Sequence, residues 1–128
     1  MFLRLMAVGL LAATIGFGQA PVYEVAVTRD VMVPMRDGVK LGTDVYRPVA
    51  PGRFPALMTR TPYNKLRAET EARAYARAGY VVIVQDVRGR FASEGRWVPI
   101  RDDPRDGFDT AKWIGEQDWF TGGIGTFG

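Results

Sequence analysis

Polar and apolar residues alternate from residue 23 to 33, with Tyr23, Val25, Val27, Val31 and Val33 on one side of the pattern. The alternation returns at Val39, Leu41, Thr43 and Val45, after an Asp37-Gly38 dipeptide. Two period-2 runs joined by Asp-Gly predict an antiparallel hairpin. A Pro/Gly loop at 47–52 leads to a short apolar run at 54–59, of strand length, stopped by Thr61-Pro62. Residues 66–78 are rich in Ala, Glu and Arg, with Leu66, Ala74, Tyr75 and Ala78 at helical spacing and Gly79 where a C-terminal cap belongs. Residues 80–84, Tyr-Val-Val-Ile-Val, do not alternate. Such a run suits a strand covered on both faces. Helix, glycine and buried strand form half of a βαβ unit, so the predicted class is α/β.

Residues 87–105 read as a long polar loop containing Arg88-Gly89-Arg90 and Ser93-Glu94-Gly95. Residues 106–116 read as a helix with Trp113 and Ile114 turned inward, and residues 121–128 as the start of another strand. An α/β sheet that stops as a strand begins lacks the helix that would follow, so the sequence is expected to be interrupted.

Residues 1–20 have a different organisation. A short start with Arg4 precedes a continuous apolar and small-residue run at 5–17, and Gly18-Gln19-Ala20 places small residues at the −3 and −1 positions of a cleavage site. This is the layout of a secretory signal peptide, and the apolar run is shorter than the ~20 residues a membrane-spanning helix needs. Pro21 directly after the cut fits poorly, because its ring hinders a protease there. The expectation is export to the periplasm or beyond, no stable membrane insertion after cleavage, and a mature domain at 21–128.

Composition narrows the chemistry. Among 128 residues there is no Cys and no His. That removes a thiolate nucleophile, a disulfide framework, the usual general base and the commonest metal ligand. The net charge of +3 comes from Lys and Arg interleaved with Asp and Glu. Nucleic-acid binders concentrate their basic residues, so no nucleic-acid partner is expected.

Gly123-Ile124-Gly125-Thr126-Phe127-Gly128 matches G-x-G-x-x-G. A dinucleotide site needs a strand leading into this motif and a helix opening from it, so packing glycines are preferred and no cofactor is expected. Asp102, Asp103, Asp106 and Asp109 cluster, but the nearest calcium-loop register puts Pro104 and Trp113 where oxygen ligands belong. No metal is expected, and Asp103, Asp106 and Asp109 read as caps and dipole partners of a helix start. Asp86 and Arg88 flank the end of the buried strand, where an ion pair or a loop clamp fixing Arg88 under the long loop is preferred over a catalytic role, and Trp97, Trp113 and Trp119 are expected to serve core or loop packing. Tyr63 stands out. It follows a strand in the loop before a helix, where α/β-hydrolases place an oxyanion donor, and a phenol O–H can donate to a developing alkoxide, although spacing alone favours a surface tyrosine in a turn.

Four segments in order resemble the cocaine esterase and X-prolyl dipeptidyl-peptidase superfamily of serine hydrolases. They are Val31-Met32-Val33-Pro34-Met35-Arg36-Asp37-Gly38, Arg60-Thr61-Pro62-Tyr63-Asn64-Lys65, Gln85-Asp86-Val87-Arg88-Gly89-Arg90 with Phe91-Ala92-Ser93-Glu94-Gly95, and Asp109-Thr110-Ala111-Lys112-Trp113-Ile114. The resemblance implies the N-terminal half of an α/β-hydrolase fold, with a helical cap and a jelly roll later in the family's sequence. It implies a Ser-Asp-His triad acting on ester, amide or X-Pro peptide substrates, with Tyr63 in the oxyanion hole. It also makes Gly128 the first glycine of the G-x-S-x-G elbow. The triad Ser, Asp and His are then all expected to be missing from these 128 residues, which by themselves should be inactive. Two other classes stay open at this level: a small secreted β-rich binding module, and an oxidoreductase fragment resting on the terminal glycines.

Overall fold

The computed structural model describes residues 20–128; the signal-peptide reading of residues 1–20 therefore falls almost wholly outside the described residues. Strands β1 (Val25–Pro34) and β2 (Lys40–Pro48) form the hairpin, followed by β3 (Phe54–Thr61). A 3-10 turn (Lys65–Ala68) runs into helix α1 (Glu69–Arg77), and β4 (Val81–Asp86), helix α2 (Asp103–Gly115) and β5 (Phe120–Thr126) complete the chain. The five strands form one sheet in the order β1-β2-β4-β3-β5. β1 pairs antiparallel with β2 and β2 antiparallel with β4, whereas β3 runs parallel to both β4 and β5. Joining the parallel neighbours β3 and β4 requires a crossover, which α1 supplies.

All six residues of β4 are buried. Val82 and Val84 pack with Tyr46, Ala72 and Ala76 under α1, while Val81 and Ile83 pack with Val45, Met58, Ile114 and Trp119 on the α2 side. A strand covered by helices on both faces has no solvent side, which is why its sequence does not alternate.

Several boundaries differ from the sequence reading. Tyr80 lies outside β4 and is exposed. The first turn of the predicted helix at 66–78 is 3-10, started by Asn64, whose side chain accepts the Leu66 N–H at 3.0 Å. Helix α2 begins three residues earlier than expected because Pro104 sits in its first turn, where the missing N–H costs nothing and the fixed φ suits a helix. The acids near that helix start are not side-chain caps. Asp103, Asp106 and Asp109 pair instead with Arg60, Arg88 and Arg36. The terminal G-x-G-x-x-G begins inside β5 instead of in a strand-to-helix turn. A Cβ on Gly125 would lie 2.9 Å from Leu57 Cδ2, a close-packing role.

Candidate active site

The carboxyl ends of parallel strands β3, β4 and β5 lie along one edge of the sheet, the edge where open α/β sheets bind ligands. Tyr63 follows the end of β3 by two residues and is 70% exposed. Its N–H donates to Thr61 Oγ1 at 3.0 Å, turning the chain out of the strand. A cleft of about 280 Å³ opens beside it, lined by Tyr63, Asn64, Arg67, Glu71, Phe127 and Gly128 among others. Phe127 is held there by its N–H to Met58 O at 3.2 Å and by an edge-on contact with Tyr75, ring centres 5.1 Å apart. Gly128 has φ +145°, and a Cβ there would come within 3.4 Å of Thr59 Oγ1. The fold thus brings the exit of β5 to the same cleft as Tyr63.

The loop after β4 supports this edge. Ser93 Oγ donates to Asp86 O at 2.6 Å and accepts the Gly42 N–H at 2.9 Å. Ser93 is the only serine in the sequence, and its hydroxyl is committed to the backbone of β2 and β4. Of the two arrangements expected at this strand end, an ion pair or a loop clamp, the Asp86–Arg88 ion pair does not form. Asp86 is the last residue of β4, whereas Arg88 lies beyond it, where the chain has left the strand. Arg88 turns to Asp106 and Asp37, which raise its already high pKa against the opposing effect of burial, Asp106 most strongly. The buried Asp86 carboxylate accepts two backbone N–H groups instead, from Lys65 at 2.8 Å and from Ala92 at 3.1 Å. The sequence reading missed this role; a carboxylate at the end of a buried strand beside two loops was the available signal.

A buried charge cluster underlies the start of α1. Asp44, fully buried, accepts from Arg29 Nη1 at 2.9 Å, the Asp30 N–H at 3.0 Å and Lys65 Nζ at 3.1 Å. Lys65 Nζ also reaches Asp30 at 2.8 Å. Burial works against the Lys65 charge, but the bonds to Asp30 and Asp44 outweigh it and leave its pKa raised. Arg29 further pairs with Glu69 and sits over the Tyr46 ring. Every charge in this cluster has a partner of opposite sign, so it ties β1, β2 and the Tyr63 loop together. A second concavity of about 220 Å³, between the hairpin and α2, is spanned by the Arg36–Asp109 ion pair and is lined by no hydroxyl or thiol side chain. Trp113 and Trp119 pack edge to face in the core, as expected, whereas Trp97 is 42% exposed and stacks on Arg90.

Residues 37–128 match the model of the X-Pro dipeptidyl-peptidase (S15) family. The chain belongs to that family. Among its S15 and esterase relatives is the cocaine esterase of Rhodococcus sp. (strain MB1 Bresler), 49% identical over 109 residues, covering 80% of this chain and 19% of the relative. Among solved structures, an alpha-amino acid ester hydrolase superposes with a TM-score of 0.71 at 27% identity, over 97% of this chain and 24% of that one. A CocE/NonD family hydrolase from Staphylococcus aureus superposes with a TM-score of 0.70 at 28% identity, over 80% of this chain and 22% of that one. The chain spans about a fifth of the length of the curated relatives it matches. The S15 assignment and the mixed sheet agree on an α/β-hydrolase-like fold and a hydrolase family.

Proposed function

We propose that this chain forms the N-terminal part of an exported serine hydrolase that cleaves ester or amide bonds, X-Pro peptide bonds included, through an acyl-enzyme. The observation that carries this reading is the meeting of Tyr63 and the end of β5 in one cleft at the carboxyl edge of the sheet. A serine hydroxyl placed on the turn after β5 attacks the substrate carbonyl, and a histidine takes its proton. The carbonyl oxygen becomes an alkoxide to which the Tyr63 O–H donates a hydrogen bond. Collapse expels the alcohol or amine with that proton and leaves the acyl-serine, which water hydrolyses. These 128 residues contain no His, and their single Ser bonds the backbone through its hydroxyl, so in this reading the rest of the full-length protein supplies serine and histidine. The substrate is a small ester, amide or peptide, and no cofactor takes part. The apolar run at 5–17 supports export.

The test is a pre-steady-state assay on the full-length protein that carries this chain, with a chromogenic ester and an X-Pro anilide. A stoichiometric burst of leaving group, abolished by a fluorophosphonate that labels one serine, supports the reading. Turnover that survives complete serine labelling contradicts it. The 128 residues alone are expected to release no leaving group.

A further inference from the structure

Tyr63 reaches the cleft on an exposed loop, and its position depends on what holds the residues either side of it. One five-residue segment, 86–90, holds both. Before Tyr63, the Thr61 carbonyl accepts the Val87 N–H at 3.1 Å and the Pro62 carbonyl accepts Arg90 Nε at 3.1 Å. After it, the Lys65 N–H donates to Asp86 Oδ1 at 2.8 Å. The other oxygen of Asp86 accepts the Ala92 N–H at 3.1 Å, so one carboxylate joins the Tyr63 loop to the loop after β4. The Asp86 carboxylate makes no ion pair among the described residues; its two hydrogen bonds are both to backbone amides. Arg90 is itself fixed, with its guanidinium 4.7 Å from the Trp97 ring centre and 5.1 Å from that of Phe91.

We propose that Asp86 and Arg90 are positioning residues that set the Tyr63 hydroxyl for oxyanion stabilisation, an assignment that rests on Tyr63 being the oxyanion donor. A hydrogen-bond donor stabilises a transition state only where it is aimed before the charge develops, and a displacement of about 1 Å costs on the order of 10²-fold in rate. Asp86→Asn keeps the volume but turns an NH2 group toward one of the two N–H donors, so it breaks one tether of the pair. Arg90→Met keeps the apolar stem and removes the donor to Pro62.

The experiment is a double-mutant cycle on the full-length protein: Asp86→Asn, Arg90→Met and Tyr63→Phe alone, and each of the first two combined with Tyr63→Phe. Each positioning variant is expected to lower kcat by about 10- to 100-fold with KM changed by less than about twofold, and to add less than about threefold once Tyr63 is already Phe. Amide exchange at Lys65 is expected to rise in Asp86→Asn. Losses that multiply in the cycle, or an unchanged kcat, overturn the positioning role while leaving Tyr63 as donor intact. A Tyr63→Phe enzyme with full turnover overturns the donor reading and this one with it. Should Asp86→Asn fail to fold, the Arg90→Met cycle decides by the same criteria, because Arg90 lies on a half-buried loop outside the core.

Discussion

Arg88 and Asp106 meet side by side inside the molecule, Nε to Oδ2 at 2.9 Å and Nη2 to Oδ1 at 2.8 Å, with Asp106 almost wholly buried. The remaining guanidinium nitrogen and Nη2 reach Asp37 in the hairpin turn. One arginine therefore fastens the end of β4 to both α2 and the opening hairpin. Removing one side of a buried pair leaves the other charge uncompensated, at a cost of about 3–5 kcal/mol. Arg88→Met, which strands Asp106, is expected to lower stability by about that amount. Asp37→Asn is expected to have little effect, because Asp37 is exposed and Arg88 keeps Asp106. Chemical denaturation of both variants checks the ordering, and equal losses would show that Asp106 is not the main partner.

Acid sensitivity follows from a second tie between the same elements. Arg36, just after β1, donates from Nη2 to Asp109 Oδ1 at 2.7 Å and from its own N–H to Oδ2 at 3.0 Å. The guanidinium hydrogen bonds hold the Asp109 carboxyl below its ordinary range. A carboxyl whose pKa is lower in the folded than in the unfolded chain favours folding when ionised. Its contribution is complete above the ordinary carboxylate value of about 4 and fades as pH falls below that toward the folded value. Asp109→Asn is expected to be less stable than the parent at neutral pH, with the gap closing below about pH 4. A gap that stays constant through acid would place the effect in packing instead of charge.

Gly89 is required by its backbone. It has φ +74°, and a Cβ there would overlap the Trp97 nitrogen and the Arg96 carbonyl carbon. Gly38 has a similar φ of +85° with nothing within 4 Å of the same position. Alanine at Gly38 is expected to cost about 1–2 kcal/mol, the penalty for a left-handed conformation. Alanine at Gly89 is expected to cost more, because it also pushes Trp97 away from Arg90. Thermal unfolding of the two variants, with proteolysis of the 90–97 loop as a local readout, checks this difference. Equal midpoints would mean the loop moves aside freely.

The comparison of sequence with structure divides along a physical line. The hairpin, the βαβ crossover and the two-faced burial of β4 were legible because they are local: an Asp-Gly turn, a helix ending at Gly79 and an apolar run at Val81-Val82-Ile83-Val84 each declare their environment within a few residues. Tyr63 was legible as a position, two residues past a strand, and through the motif around it. The partners of Arg88 and Asp106, and the Lys65 partner of Asp86, were not, because they depend on contacts between residues 18 to 51 apart in the chain. Asp86 and Arg88, two residues apart, invite pairing on sequence, yet Asp86 takes the Lys65 and Ala92 amides and Arg88 the carboxylates of Asp106 and Asp37. The start of α2 is not legible from its acids, because arginines from three other segments take Asp103, Asp106 and Asp109, and Pro104, which resembles a loop residue in sequence, opens the helix.

The central claim is that the Tyr63 hydroxyl stabilises the oxyanion. Loss of one such donor costs on the order of 10²–10³ in kcat. In the full-length protein that carries this chain, Tyr63→Phe is expected to lose that much turnover with KM and thermal midpoint nearly unchanged. Turnover equal to that of the parent would contradict the claim.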